Sequence, residues 1–146
     1  YPLSWVDNPV YEWGKAQVLR EGSDVVLVGS GVLLNRVIEA GDQLASDGVN
    51  ATVINNPFVN QVDLDTIGAA VNAAGGRLVT IEDHQVKGGM GAQVSHALSN
   101  AGIAHRIKTL GIAGEFGQSA YKADELYDQF GLNVEGVKAA AKELLA

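Results

Sequence analysis

Ile81-Glu82-Asp83-His84-Gln85-Val86-Lys87-Gly88-Gly89-Met90-Gly91 is the stretch on which the fold of this chain turns. Arg77 to Ile81 reads as a strand buried on both faces, and three polar side chains follow it. A glycine-rich turn then leads into a helix that starts at Met90. Parallel α/β sheets present their functional groups at the carboxyl ends of strands. Glu82, Asp83 and His84 stand at such an end, which makes them the first candidates for acid–base or metal chemistry.

The same alternation extends to both sides. Val25 to Gly29 is a continuous apolar run that fits a buried strand, and Val32 to Ser46 is helical. Leu33, Leu34, Val37, Ile38, Gly41, Leu44 and Ala45 form the inner face of that helix, and Gly48 stops it. Ala51 to Asn55 is the next strand. Asp63 caps a second helix, with Leu64, Ile67, Val71 and Ala74 inward, and Gly75-Gly76 ends it. The helix from Met90 turns Val94, Ala97, Leu98 and Ala101 inward, and Ala104 to Leu110 is the last strand. Beyond a loop at Gly114 to Ser119, a short helix over Lys122 to Phe130 precedes one that Asn133 caps, with Val134, Val137, Ala141, Leu144 and Leu145 as its apolar stripe. Lys15 to Leu19 is a short strand ahead of all this. Residues 1–14, with Trp5, Tyr11 and Trp13, have no clean period and read as an arm that packs on something else. Strand–helix alternation from Val25 onward predicts a three-layer α/β/α sandwich with right-handed crossovers.

Composition narrows the function. The chain has 146 residues, 47% of them hydrophobic, enough for one domain with a real core. Its net charge of -7, with only 10 Lys and Arg, repels phosphate backbones and anionic lipid, which argues against nucleic-acid and membrane partners. No apolar run is long enough to span a bilayer. The absence of cysteine excludes disulfides, thiolate nucleophiles and Cys-based metal sites, and fits a reducing cytoplasmic setting. The chain opens at Tyr1 without an initiator Met or a signal-like region, as expected of a piece of a longer product.

Candidate sites are few. Gly29-Ser30-Gly31 joins a strand to a helix, a place where helix amides cradle phosphate, but Leu34 stands where a third glycine would complete the dinucleotide pattern. A tight βα turn is the simpler reading. Glu82, Asp83 and His84 have no second carboxylate–His cluster to complete a metal site; His96 lies off the apolar face of its helix and His105 lies in a strand. Ser30 and Ser119 lack a nucleophile elbow. The charges of the last helix, Glu135, Lys138, Lys142 and Glu143, form a solvated face. No catalytic and no metal-binding residue is assigned.

Glu82-Asp83-His84, followed by Gly88-Gly89 and Gly91, resembles the acidic-acidic-His, Gly-Gly-x-Gly segment of the transketolase C-terminal domain. The resemblance runs in order along nearly the whole chain. It takes in Gly14 to Gly22, Val25 to Gly31, Asn56-Pro57-Phe58, Phe116-Gly117-Gln118-Ser119, Glu125-Leu126 and Phe130-Gly131-Leu132. Two features depart from it: Asn60-Gln61-Val62 and Leu64 flank Asp63 where the family often has a basic residue and a proline, and Gln85 replaces a common aromatic. These put an anion-binding role of that loop in question, and not the fold.

The resemblance implies a five-stranded mixed sheet in the order 1-3-2-4-5 with strand 1 antiparallel, whereas local reading alone would pair the first two strands as a hairpin. It divides the chain into an arm, 1–14, and a transketolase C-terminal domain, 15–146. It implies a topological switch between Gly29 and Glu82, with a crevice lined by Ser30, Gly31, Asp83 and His84, and Glu82, Gly88, Gly89 and Gly91 beside it as interface candidates. Transketolases move two-carbon ketol units between sugar phosphates with thiamine diphosphate and a divalent metal such as Mg, held by other domains. The diphosphate motif Gly-Asp-Gly is missing here; Gly41-Asp42-Gln43 lies inside a helix. The implied role is therefore structural: support of a homodimer, with the thiamine-binding domains or subunit as partner and no cofactor bound by this chain. Two other readings stand beside it. One is the equivalent domain of a deoxyxylulose-phosphate synthase or of a 2-oxoacid dehydrogenase β subunit, which usually resemble Glu-Glu at that strand end. The other is a free-standing anion- or nucleotide-binding module.

Overall fold

The computed structural model describes residues 11–113 and 123–146. Five strands and five helices are seen among them: β1 Gln17–Arg20, β2 Val25–Gly29, α1 Leu34–Ser46, β3 Ala51–Asn55, α2 Leu64–Ala73, β4 Arg77–Gln85, α3 Met90–Asn100, β5 Arg106–Ile112, α4 Ala123–Gln129 and α5 Val134–Leu145. A single 3-10 turn, Gly31–Leu33, leads into α1. The sheet order is β1-β3-β2-β4-β5. β1 runs antiparallel to β3, and the other pairs are parallel. The implied order 1-3-2-4-5 is the order observed, and the β1–β2 hairpin of local reading does not form.

Alternation along β2 builds the two cores. Val25 and Leu27 face α1 and α5; Val26 and Val28 face α2 and α3. Both faces are covered, so every residue of β2 and β3 is buried. Ile67 and Val71 of α2 and Val94 and Leu98 of α3 fill one layer; Val37 and Leu44 of α1 and Val137, Ala141 and Leu144 of α5 fill the other.

Helix ends follow the local signals. Asp63 Oδ1 accepts the Thr66 amide at 3.2 Å, and Asn133 Oδ1 accepts the Gly136 amide at 2.8 Å. Gly48, at φ +83°, closes α1, and the Val49 amide donates back to Leu44 O.

Several boundaries differ from expectation. β4 runs on through Gln85 because its backbone keeps pairing with β5 after its side chains turn polar; the ladder slips between Ile81 and Gln85 and resumes at Ile112. β5 starts at Arg106, so His105 lies in the loop before it, held by Ser95 Oγ at 2.9 Å and Ile103 O at 2.9 Å. Ala101, expected inward, is exposed because α3 has already ended, and Ala40 takes a core place on α1. Trp5, the Gly114–Ser119 loop with Phe116 to Ser119, and the start of the Lys122 helix lie outside the described residues. Among the described residues no helix is long and apolar enough to cross a membrane.

Candidate functional site

Period-2 alternation decides what the end of β4 can do. Leu78 faces the α2–α3 layer and Thr80 lies under Gly91 of α3, so Glu82 projects toward α3 as well. Val79 and Ile81 face the opposite layer, and so does Asp83. The two neighbouring carboxylates therefore diverge.

Glu82 is buried, at 4% exposure. Its Oε1 accepts the Met90 amide at 2.9 Å and its Oε2 accepts the Gly91 amide at 2.8 Å. These are the first two amides of α3, which no helical carbonyl satisfies. The carboxylate thus occupies the positive end of the helix. The glycines make this approach possible. A Cβ on Gly89 would overlap Glu82 Oε1 and come within 2.5 Å of Gln85 O. One on Gly91 would collide with Thr80 Oγ1 and lie 2.6 Å from Thr109 Cγ2. Gly111 of β5 leaves room for the strand extension, since a Cβ there would stand 2.8 Å from His84 O.

Asp83 Oδ2 accepts the Tyr127 hydroxyl at 2.8 Å, which ties β4 to α4. The Arg36 guanidinium lies 5.3 Å over the Tyr127 ring and pairs with Asp124 at 2.6 Å. His84 points outward, with its side chain 67% exposed; Nδ1 stands 3.0 Å from Gln85 O and 3.8 Å from Glu82 Oε1. Among the described residues no three His, Asp or Glu side chains gather where a metal ion would sit.

The expected crevice divides. Ser30 and Gly31 line a shallow cavity of ≈ 400 Å³ with Tyr11, Asn55, Pro57 and Val59, on the β3 side of β2. Asp83 and His84 do not line it. Gly88 belongs to a separate groove of ≈ 540 Å³ between the loop before α2 and α3, with Val62, Gln93 and His96. Of the residues singled out from the sequence, the structure places Glu82, Gly89 and Gly91 together at the start of α3. It missed Tyr127, Gly111, Arg36 and Asn55. Period 2 links Thr80 to Glu82, but nothing local in the sequence pairs Tyr127 with Asp83.

The N-terminus of α3 does not fit a diphosphate: it already holds the Glu82 carboxylate, and a second anion there would meet like charge at close range.

Residues 14–137 match the family model described as "Transketolase, C-terminal domain". The chain is 38% identical over 133 residues to 1-deoxy-D-xylulose-5-phosphate synthase of Thermomicrobium roseum, covering 91% of this chain and 21% of that protein. It is 34% identical over 134 residues to human transketolase-like protein 2, covering 89% of this chain and 21% of that one. It thus spans about a fifth of the length of these relatives. A solved structure described as "Split gene transketolase, inactive beta4 tetramer" superposes with a TM-score of 0.90 at 28% identity, covering 99% of this chain and 46% of that one.

Proposed function

This chain belongs to the transketolase C-terminal domain family, and we propose that it is the C-terminal section of a thiamine-diphosphate-dependent transketolase, with an assembly role and no reaction centre of its own. The observation that carries this reading is the internal use of the strand-end acids. Both oxygens of the buried Glu82 are bonded to helix amides, so that carboxylate is not presented to a substrate, and one oxygen of the exposed Asp83 accepts from Tyr127. In the whole enzyme, Mg and thiamine diphosphate sit on the other domains, and ketol transfer between sugar phosphates takes place there. Residues 1–14 are the arm from the preceding section and residues 15–146 the domain. The partner is the thiamine-binding section, in the same polypeptide or as a separate subunit, and the assembled enzyme is a homodimer. The exposed His84 side chain is a strand-end group open to hydrogen-bond across an interface.

The 38% identity to a synthase supports a second reading, the same section of a deoxyxylulose-phosphate synthase. Asp83-His84 after Glu82, and Phe116-Gly117-Gln118-Ser119, favour transketolase. The test is an assay of the purified chain, alone and with the thiamine-binding section from its own source, given thiamine diphosphate, Mg²⁺, a ketose donor and an aldose acceptor. Ketol transfer is expected only from the pair. Turnover by the chain alone, above a heat-killed control, overturns the assembly role. A pair that instead forms 1-deoxyxylulose 5-phosphate establishes the synthase reading.

A further inference from the structure

The end of the sheet at β2 and β3 is built unlike the end at β4. Five large apolar side chains are strongly exposed among the described residues, and four of them, Tyr11, Trp13, Val32 and Val59, belong to this end. Tyr11 and Val59 line one cavity with Gly31, the neighbour of Val32. The Trp13 ring, 83% exposed, rests against Phe58 with centroids 4.9 Å apart. Residues 29–35 and 56–62, which form these loops, contain no charged side chain, in a chain with 10 basic and 17 acidic residues. Two charge-free loops beside exposed aromatics, with the charges of Glu12 and Lys15 carried on the segment before β1, match an interface with an apolar core and a polar rim.

The position of the patch in the chain says what covers it. Tyr11 and Trp13 lie on the segment through which the polypeptide reaches β1 at Gln17. The matched region is the C-terminal domain of relatives of which this chain spans only 21%, so the bulk of those relatives precedes this point. In a polypeptide built like those relatives, the preceding section would join through the segment that carries Tyr11 and Trp13.

We propose that the face formed by Tyr11, Trp13, Val32, Phe58 and Val59 docks the thiamine-binding section of the enzyme, whether joined to this chain or separate. The inference rests on the function proposed above and names its contact surface. The ≈ 400 Å³ cavity between Tyr11, Asn55 and Val59 is the socket for an apolar side chain of that partner.

Trp5→Phe leaves Trp13 as the single tryptophan, because the chain has two. Its emission is read by acrylamide quenching, for the chain alone and with the thiamine-binding section from its own source. Alone, Trp13 should be freely quenched; in the complex, quenching should fall at least fivefold and the emission shift to the blue. Val59→Asp should weaken association at least tenfold with an unchanged circular dichroism spectrum, while Lys142→Glu on α5 should leave it unaltered. If the partner binds with Trp13 still fully quenched and Val59→Asp without effect, the surface is wrong and the functional reading stands. If the unaltered chain does not bind the partner at all, both fall. Protection of Trp13 in the chain alone overturns the proposal in two distinguishable ways. Protection that rises with concentration, alongside a doubled mass, identifies a second copy as occupant; protection independent of concentration identifies residues 1–10.

Discussion

Replacing Glu82 by Gln tests whether the strand-end acid is a fastening. Both its oxygens accept backbone amides, from Met90 and Gly91, in a buried setting. A buried hydrogen bond with a charged partner contributes about 1.5–3 kcal/mol, and an orphaned buried donor costs about 1–3 kcal/mol. The Gln carboxamide keeps one acceptor and turns its NH₂ toward the other amide, donor against donor. The helix-end charge interaction, up to about 2 kcal/mol where partly buried, is lost as well. These terms overlap, so the expected loss is about 3 kcal/mol, a fall in Tm of about 10 °C for a domain of this size. Thermal unfolding and urea midpoints measure it, and hydrogen exchange at the Met90 and Gly91 amides should quicken. Glu143→Gln, which removes an exposed ion pair with Lys108, is the control and should cost under about 1 kcal/mol. A Glu82→Gln protein within about 0.5 kcal/mol of the parent would refute the fastening.

Gly89→Ala should destabilise by more than about 2 kcal/mol, because its Cβ overlaps the Glu82 carboxylate and crowds backbone; an unchanged urea midpoint would dismiss that contact. His84→Ala should move Tm by no more than about 2 °C, since the ring is solvent-facing, and should weaken assembly with the partner section; a large Tm drop would make it a fold residue. Burial raises the pKa of Asp63, but hydrogen bonds from Thr66 and the Ala16 amide, with the Lys15 charge, outweigh it and hold the carboxyl below its usual value. A depressed folded pKa stabilises above the unfolded value of about 3.9 and loses that contribution as pH falls through the folded value. Asp63→Asn should therefore flatten the fall in stability as pH drops below about 4, as read from urea unfolding at each pH; a parallel fall in both proteins would contradict it.

Most of the fold was legible because its signals are local. Asp63, Asn133 and Gly48 mark helix ends by side-chain chemistry and backbone freedom, and Val25 to Gly29 marks a doubly buried strand by composition. Strand order was legible only through the resemblance, because adjacency of β1 to β3 is a long-range choice that local propensity favours against. The end of β4 was misjudged because side-chain pattern and backbone pairing separate there: polarity begins at Glu82, while the ladder to β5 persists to Gln85. The candidate site was half legible. Glu82 and the glycines are close in sequence and share one turn. Tyr127 reaches Asp83 across 44 positions, and no pattern in either segment announces the other.

The Glu82–Asp83 pair looked like a site because two acids stood together, but on a strand successive neighbours point to opposite faces. Residues i and i+2 therefore share chemistry while i and i+1 divide it. Glu82 consequently serves α3 and Asp83 serves α4, and the end of β4 fastens the layers on both sides of the sheet. Its two acids are tied within the domain, and His84 is the polar side chain left facing out. At the same level of the sheet, Gly29 pairs with Asn55, and the loops that follow them present Val32, Phe58 and Val59 without a charge among them. One half of the carboxyl edge is thus closed by hydrogen bonds and the other left apolar. An isolated domain has no use for that asymmetry, because solvent covers polar ends at lower cost than apolar ones. It suits a domain that closes its own core at one half and is completed by a partner at the other.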